Sequence, residues 1–174
     1  MKMDQKKNCS ILEKFDSEKY FFTQFNPKIM GAEDIESFLK LVDGEFKPKL
    51  TSLHNLFDYA EKIIKLSDAV FVVSRNSNTI CAINVFYLSN RKDEYCHWSM
   101  LAVSPEHRGQ RLGKLLTECM IMCCELETVS AVLSQTWSQN TASINLHLSN
   151  GFEICGKSQR PGSDDYTLKL RYEL

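Results

Sequence analysis

The chain is 174 residues long, 43% hydrophobic and 25% charged, and its 21 Lys and Arg nearly cancel 22 Asp and Glu, leaving a formal net charge of −1. That length and composition describe one globular domain rather than two, and the charge balance excludes a whole-protein field that would hold nucleic acid or an anionic membrane. A phosphate-bearing ligand would need a local basic patch.

Met1 to Ser10 is charged and lacks the apolar segment of a secretory signal, and no run approaches the ~18 consecutive apolar residues that span a bilayer, so a cytoplasmic chain with no membrane partner is expected. Lys19 to Phe25 is a candidate first strand, ended by Asn26-Pro27. From Ala32 to Val42, Ile35, Phe38, Leu39 and Val42 recur at helical spacing, with Glu33 and Asp34 in the first turn, where the helix dipole favours acids, and with Gly44 as a stop. Leu53, Leu56, Phe57, Ala60, Ile63 and Ile64 predict a second amphipathic helix running to about Leu66. Ala69–Ser74 and Thr79–Leu88 are β-rich runs joined by the turn-forming Arg75-Asn76-Ser77-Asn78, the pattern of an antiparallel hairpin. Polar Ser89–Glu94 turns the chain again, and Tyr95–Val103 is the next strand. Leu112–Glu127 carries the longest helical pattern, its buried stripe being Leu112, Leu115, Leu116, Cys119, Met120 and Cys123. Ala131–Thr136, a short helix over Thr141–Leu148, and strands at Phe152–Gly156 and Tyr166–Tyr172 complete an α+β order with a strand-helix-strand-helix unit in its second half. No repeat of roughly 20 to 50 residues and no low-complexity linker divides residues 1–174, which read as a single domain.

Seven Cys is an odd number, so at least one thiol is unpaired under any intramolecular scheme. None forms a CxxC pair, and Cys119, Cys123 and Cys124 fall within the helical apolar pattern, so reduced, packed thiols are expected and no metal.

The segment from Leu101 to Gly113, LAVSPEHRGQRLG, leaves a strand and enters the long helix. A turn there presents backbone N–H groups at a helix N-terminus, which with the dipole make an anion site, and Arg108, Arg111 and Lys114 supply the local positive patch. The segment is neither a P-loop nor a dinucleotide GxGxxG. It resembles the pyrophosphate-binding signature of the GNAT superfamily of acyl-coenzyme A dependent N-acyltransferases: Arg or Gln, two residues, Gly, one residue, Gly or Ala. Here it reads Arg108-Gly109-Gln110-Arg111-Leu112-Gly113, with Arg111 in place of the middle glycine. An arginine there is expected to be helical and to exclude positive φ. A second family pattern runs Asn, Ala three residues later, an aromatic four further, then Gly-Phe; Asn140, Ser143, His147, Gly151 and Phe152 keep that spacing. Position 147 is usually a Tyr that protonates the departing thiolate.

The resemblance, strongest over residues 69–172, implies a mixed, mostly antiparallel sheet of about six to seven strands with about four flanking helices. It implies acetyl-CoA as co-substrate, with Leu101, Ala102, Val103, Arg108, Gly109, Gln110, Arg111, Leu112, Gly113, Lys114 and Asn140 as its binding residues. The amine acceptor would attack the thioester directly in a ternary complex, the Leu101–Val103 backbone would contact the oxyanion, and His147 would act as acid. Alternation along the strand places His97 and Ser99 on the face of Leu101 and Val103 and makes His97, with Glu94 behind it, a candidate base, with a loop residue or water as alternatives. The two early helices imply an acceptor wall at Phe46, Lys49, Leu50 and His54. The likeness is nearest to small-molecule acetyltransferases acting as monomer or homodimer, amino sugars among their acceptors. A protein or peptide amine, or a coenzyme-binding module without turnover, is the alternative.

Overall fold

The computed structural model describes residues 11–88, 94–127, 129–160 and 164–174. Residues 1–10 and most of the expected Ser89–Glu94 turn lie outside these residues. In chain order the elements are β1 (Tyr20–Gln24), α1 (Ala32–Val42), α2 (Leu56–Leu66), β2 (Val70–Ser74), β3 (Ile80–Tyr87), β4 (Tyr95–Val103), α3 (Leu112–Leu126), β5 (Ala131–Trp137), α4 (Thr141–Ser149), β6 (Glu153–Gln159) and β7 (Tyr166–Glu173). The strands form one sheet in the order β1-β2-β3-β4-β5-β7-β6. Every neighbouring pair is antiparallel except β4 with β5, which α3 connects as a crossover.

α2 starts at Leu56, later than the apolar pattern, because Asn55 caps it: its side-chain oxygen accepts from the N–H groups of Phe57 and Asp58 at 3.0 and 3.2 Å. The preceding Leu50–Ser52 is a single 3₁₀ turn. β6 continues past Gly156 to Gln159 because its pairing with β7 survives an irregularity near Ile154.

Two apolar cores sandwich the sheet. On one face α3 packs Leu112, Leu116, Cys119, Met120 and Cys123 against Val70, Val72, Phe86, Cys96 and Trp98. On the other, Ile35, Phe38 and Leu39 of α1 and Leu56, Ala60 and Ile63 of α2 pack on Phe71, Val73, Ile83, Val85 and Met100. β2 is therefore buried on both faces, which is why its sequence runs apolar without alternation. Hydrogen bonding to Cys123 and burial push the Cys119 thiol up, and Cys96 and burial do the same to Cys124. These are packing groups rather than nucleophiles.

β4 departs from simple alternation. Val85 lies opposite Met100 but Phe86 lies opposite Trp98, so Ser99 is an extra, bulged residue. Before the bulge Cys96 and Trp98 face α3; after it Leu101 and Val103 do, while Met100 and Ala102 face α1 and α2. His97, opposite Tyr87, is thereby on the α1/α2 face, away from Leu101 and Val103. The expected shared face of His97 with those two residues is corrected by the bulge, which reverses the parity.

Candidate active site

β4 and β5 stay paired from Tyr95 opposite Ala131 to Trp98 opposite Ser134, then part. Between them opens a cleft of about 540 Å³, walled by Trp98–Val103 of β4 and Ser134–Trp137 of β5, floored by Asn140, Ser143, Leu146 and His147, and reached at its ends by Arg108 with Gly113 and by Glu45–Lys47. Past Trp98, β4 pairs only with β3, as in Ala102 opposite Ile83. Its other backbone edge is open to an extended ligand.

The turn into α3 is built by two left-handed residues. Gly109 has φ +74°, and a Cβ placed there would meet nothing within 4 Å, so the requirement is conformational. Arg111 has φ 63° and ψ 9°. This overturns the helical expectation for residue 111: the chain must reverse there to enter α3, and an arginine holds the left-handed conformation at a cost of about 1–2 kcal/mol. The first helical bond runs from the Leu115 N–H to the Arg111 carbonyl at 3.0 Å, so the N–H groups of Leu112, Gly113 and Lys114 have no helical acceptor. Arg108 donates from Nε to the Val103 carbonyl at 3.3 Å and pairs with Glu45 at 3.2 Å, tying the turn to β4 and to the α1–α2 connection. Lys114 lies 3.6 Å from Glu118 on the exposed face of α3.

Sequence reasoning missed the brace behind this turn. The Tyr20 hydroxyl of β1 donates to Gln110 Oε1 at 2.6 Å; having spent its only hydrogen, it accepts from His107 Nδ1 at 3.0 Å. A contact 90 residues apart has no local signal.

At the other side of the cleft, Asn140 caps α4, its side chain accepting from the Ser143 N–H at 3.1 Å. His147, one turn on, is only 4% exposed. Its Nδ1 lies 2.7 Å from the Ser143 carbonyl and its Nε2 2.9 Å from Ser134 Oγ. Trp98 and Phe152 close over the ring, with centroids at 4.3 and 5.1 Å. Burial holds His147 below its ordinary imidazole pKa, partly opposed by the hydrogen bond to Ser143. The ring is neutral near pH 7, and stability carries the consequence. The unfolded chain binds a proton at this residue near about pH 6.5, the folded chain only at lower pH, so stability declines as pH falls from there through the folded-state value, by at most about 1.4 kcal/mol per pH unit. His147→Gln should flatten the fall in thermal midpoint below about pH 6.5; parallel curves for the two chains would show that the imidazole titrates freely.

Of the expected acceptor wall, Phe46 lines the cleft. Leu50 is buried in the α1/α2 core, His54 stacks on Tyr59 at 4.6 Å, and Lys49 and His97 stay outside the lining. Trp137 stands at the mouth: its Nε1 donates to Asp165 at 3.1 Å, and Lys47 Nζ lies 5.0 Å from its ring centroid. Arg160 reaches across and donates to the Lys47 carbonyl at 3.1 Å. Among the described residues no helix is long and apolar enough to cross a membrane, and no cluster of His, Cys, Asp or Glu gathers as a metal site would require.

Among the described residues, the sheet's only parallel pair splays into a cleft entered past a helix N-terminus with spare N–H donors, an arrangement suited to an extended ligand that carries an anionic group. The sequence pattern of the acetyltransferase (GNAT) domain matches residues 67–154. The chain belongs to the GNAT acetyltransferase family and is an acetyl-CoA-dependent N-acetyltransferase. Its fold is similar to that of a GNAT-family acetyltransferase from Streptococcus pneumoniae (16% identity, TM-score 0.72, covering 90% of this chain and 99% of that one). It is also similar to a chain of the NatC complex bound to Gag peptide and CoA (20% identity, TM-score 0.73, 90% and 99%) and to a GCN5-related N-acetyltransferase from Kribbella flavida (15%, 0.73, 90% and 99%). A sequence comparison with curated proteins gives no match.

Proposed function

We propose that the chain moves the acetyl group of acetyl-CoA to the primary amine of a small molecule, by direct attack in a ternary complex. The observation that carries this is the continuity of the cleft, from the donor-rich turn at α3 to the Trp137 mouth beside the α1–α2 connection. The residues present fit the coenzyme: the free N–H groups of Leu112–Lys114 with Gly109, Gln110 and Arg111 suit a pyrophosphate, Arg108 suits a phosphate at the rim, and the open edge of Leu101–Val103 suits an amide-bearing arm passing Asn140. The thioester supplies the activated acetyl group. The chain's own work is then to orient two substrates and to meet the charge developing on the thioester oxygen with β4 N–H groups near the bulge. The ammonium proton would leave by way of water, since His97 lies outside the cleft lining and reaches it only through a bridge.

A small acceptor, amino sugars included, is compatible with a cleft of about 540 Å³, beside which Arg160 bonds the Lys47 carbonyl and packs on the Trp137 ring. Monomer or homodimer is equally compatible with such a site. The unpaired thiols support a reducing, cytoplasmic setting. Thiol release from acetyl-CoA, measured over small amines, amino sugars and peptides with free N-termini, tests the proposal. Small amines should exceed every peptide in kcat/KM by about tenfold or more, and the reverse order would sink the small-molecule reading.

A further inference from the structure

His147 occupies the position where the family pattern places a tyrosine hydroxyl, yet both of its ring nitrogens are engaged inside the protein. A carbonyl only accepts, so Nδ1 carries the hydrogen directed at Ser143, and Nε2 of the neutral ring accepts the Ser134 Oγ–H. Among the described residues, the ring's hydrogen-bond and ring partners are Ser134, Ser143, Trp98 and Phe152, and no charged group contributes to the shift of its pKa. Ser134 differs: it lines the cleft, and as the partner of Trp98 in the last parallel pair it sits where β4 and β5 part. An arm anchored at the α3 turn and laid along β4 from Val103 toward Trp98 brings its far end, the sulfur, to that point. The imidazole is too short to replace a tyrosine, but the imidazole and the serine together place a hydroxyl at the cleft.

Resting on the acyl-transfer reading above, we propose that the Ser134 hydroxyl is the group that contacts the leaving sulfur, and that His147 is the positioning residue that holds it. In the step, the bond from amine nitrogen to carbonyl carbon forms and the carbon–sulfur bond breaks with its electron pair passing to sulfur. Ser134 Oγ–H turns from Nε2 to hydrogen-bond the thiolate, the proton lost by nitrogen goes to water, and the thiolate takes its proton from water after release. A thiol pKa near about 8.5 makes a donor sufficient, without full proton transfer before departure.

The test uses the whole chain. Ser134→Ala should lower kcat about tenfold or more with the acetyl-CoA KM within about twofold, and Ser134→Thr should keep most of the activity. His147→Gln, whose amide can still accept from Ser134, should fall less than His147→Phe, and Ser134→Ala combined with His147→Phe should be no slower than the worse single variant. A readout that packing alone would not move is the titration of bound CoA thiol followed by thiolate absorbance: Ser134→Ala should raise its pKa by about one unit. The proposal is overturned by an unchanged thiol titration, by kcat within about twofold of the parent in Ser134→Ala, or by an acetyl group found on Ser134, which would make it a nucleophile. If the parent chain releases no thiol with any amine, the acyl-transfer reading fails, while the thiol titration still decides the Ser134 contact.

Discussion

Trp98→Ala should be the most damaging single truncation at the site, costing about 3–5 kcal/mol of stability. The indole is 6% exposed and packs on His147 at 4.3 Å and on Phe152 at 5.4 Å, where the pairing of β4 with β5 ends. Against a typical total of about 5–15 kcal/mol, such a loss lowers the thermal midpoint by roughly ten degrees. Transfer should fall with it, because the indole packs on His147, whose Nε2 is the partner of the Ser134 hydroxyl. Trp98→Phe separates packing from hydrogen bonding. Trp98 Nε1 is buried with no hydrogen-bond partner, so replacing the indole by a phenyl ring removes an unsatisfied donor along with some volume, and the net cost should stay below about 1.5 kcal/mol. Chemical denaturation of both variants checks this; a Trp98→Ala loss below about 1.5 kcal/mol would show that the apex collapses and that the indole is not its keystone.

Local pattern carried the elements and failed where the determinant was nonlocal. The 3.6-residue stripe of Ile35, Phe38, Leu39 and Val42 gave α1 its observed bounds, and Tyr95–Val103 is the fourth strand as expected, because burial on one face leaves a periodic mark on sequence. The bulge at Ser99 leaves none: it is a register relation between β3 and β4, and it moved His97 to the far face although every residue of the strand was placed correctly. The α3 turn was legible from Gly109 and Gly113 as a family pattern, but the positive φ of Arg111 was not, since the propensity of arginine opposes it and the geometry of the turn prevails. The partners of His147 follow the same logic. Ser143 lies one turn back on α4 and was within the matched spacing; Ser134 lies on β5, 13 residues away, and only the fold brings it to 2.9 Å. The mouth formed by Lys47, Trp137, Arg160 and Asp165 gathers three segments that share no pattern at all.

Gly109→Val should raise the KM for acetyl-CoA by about tenfold while leaving kcat within a fewfold, because the substitution acts on the shape of the turn and not on the apex of the cleft. Nothing lies within 4 Å of a Cβ at this position, so the first added carbon meets no neighbour, and the main effect comes from φ +74°, which a β-branched residue resists by about 1–3 kcal/mol. The turn relaxes toward negative φ and carries the N–H groups of Leu112–Lys114 out of line. Arg111→Gly is the complementary experiment. It removes a guanidinium but keeps the left-handed backbone, and its relief of strain roughly offsets the added freedom of glycine in the unfolded chain, so the thermal midpoint should move by no more than a few degrees. If backbone donors at the head of α3 hold the pyrophosphate, the Gly109 variant loses more affinity than the Arg111 variant, and the salt dependence of binding stays near that of the parent chain. Should Arg111→Gly prove the worse of the two, with its KM insensitive to added salt, the charge of that one side chain would outweigh the helix N-terminus as the anchor for the coenzyme.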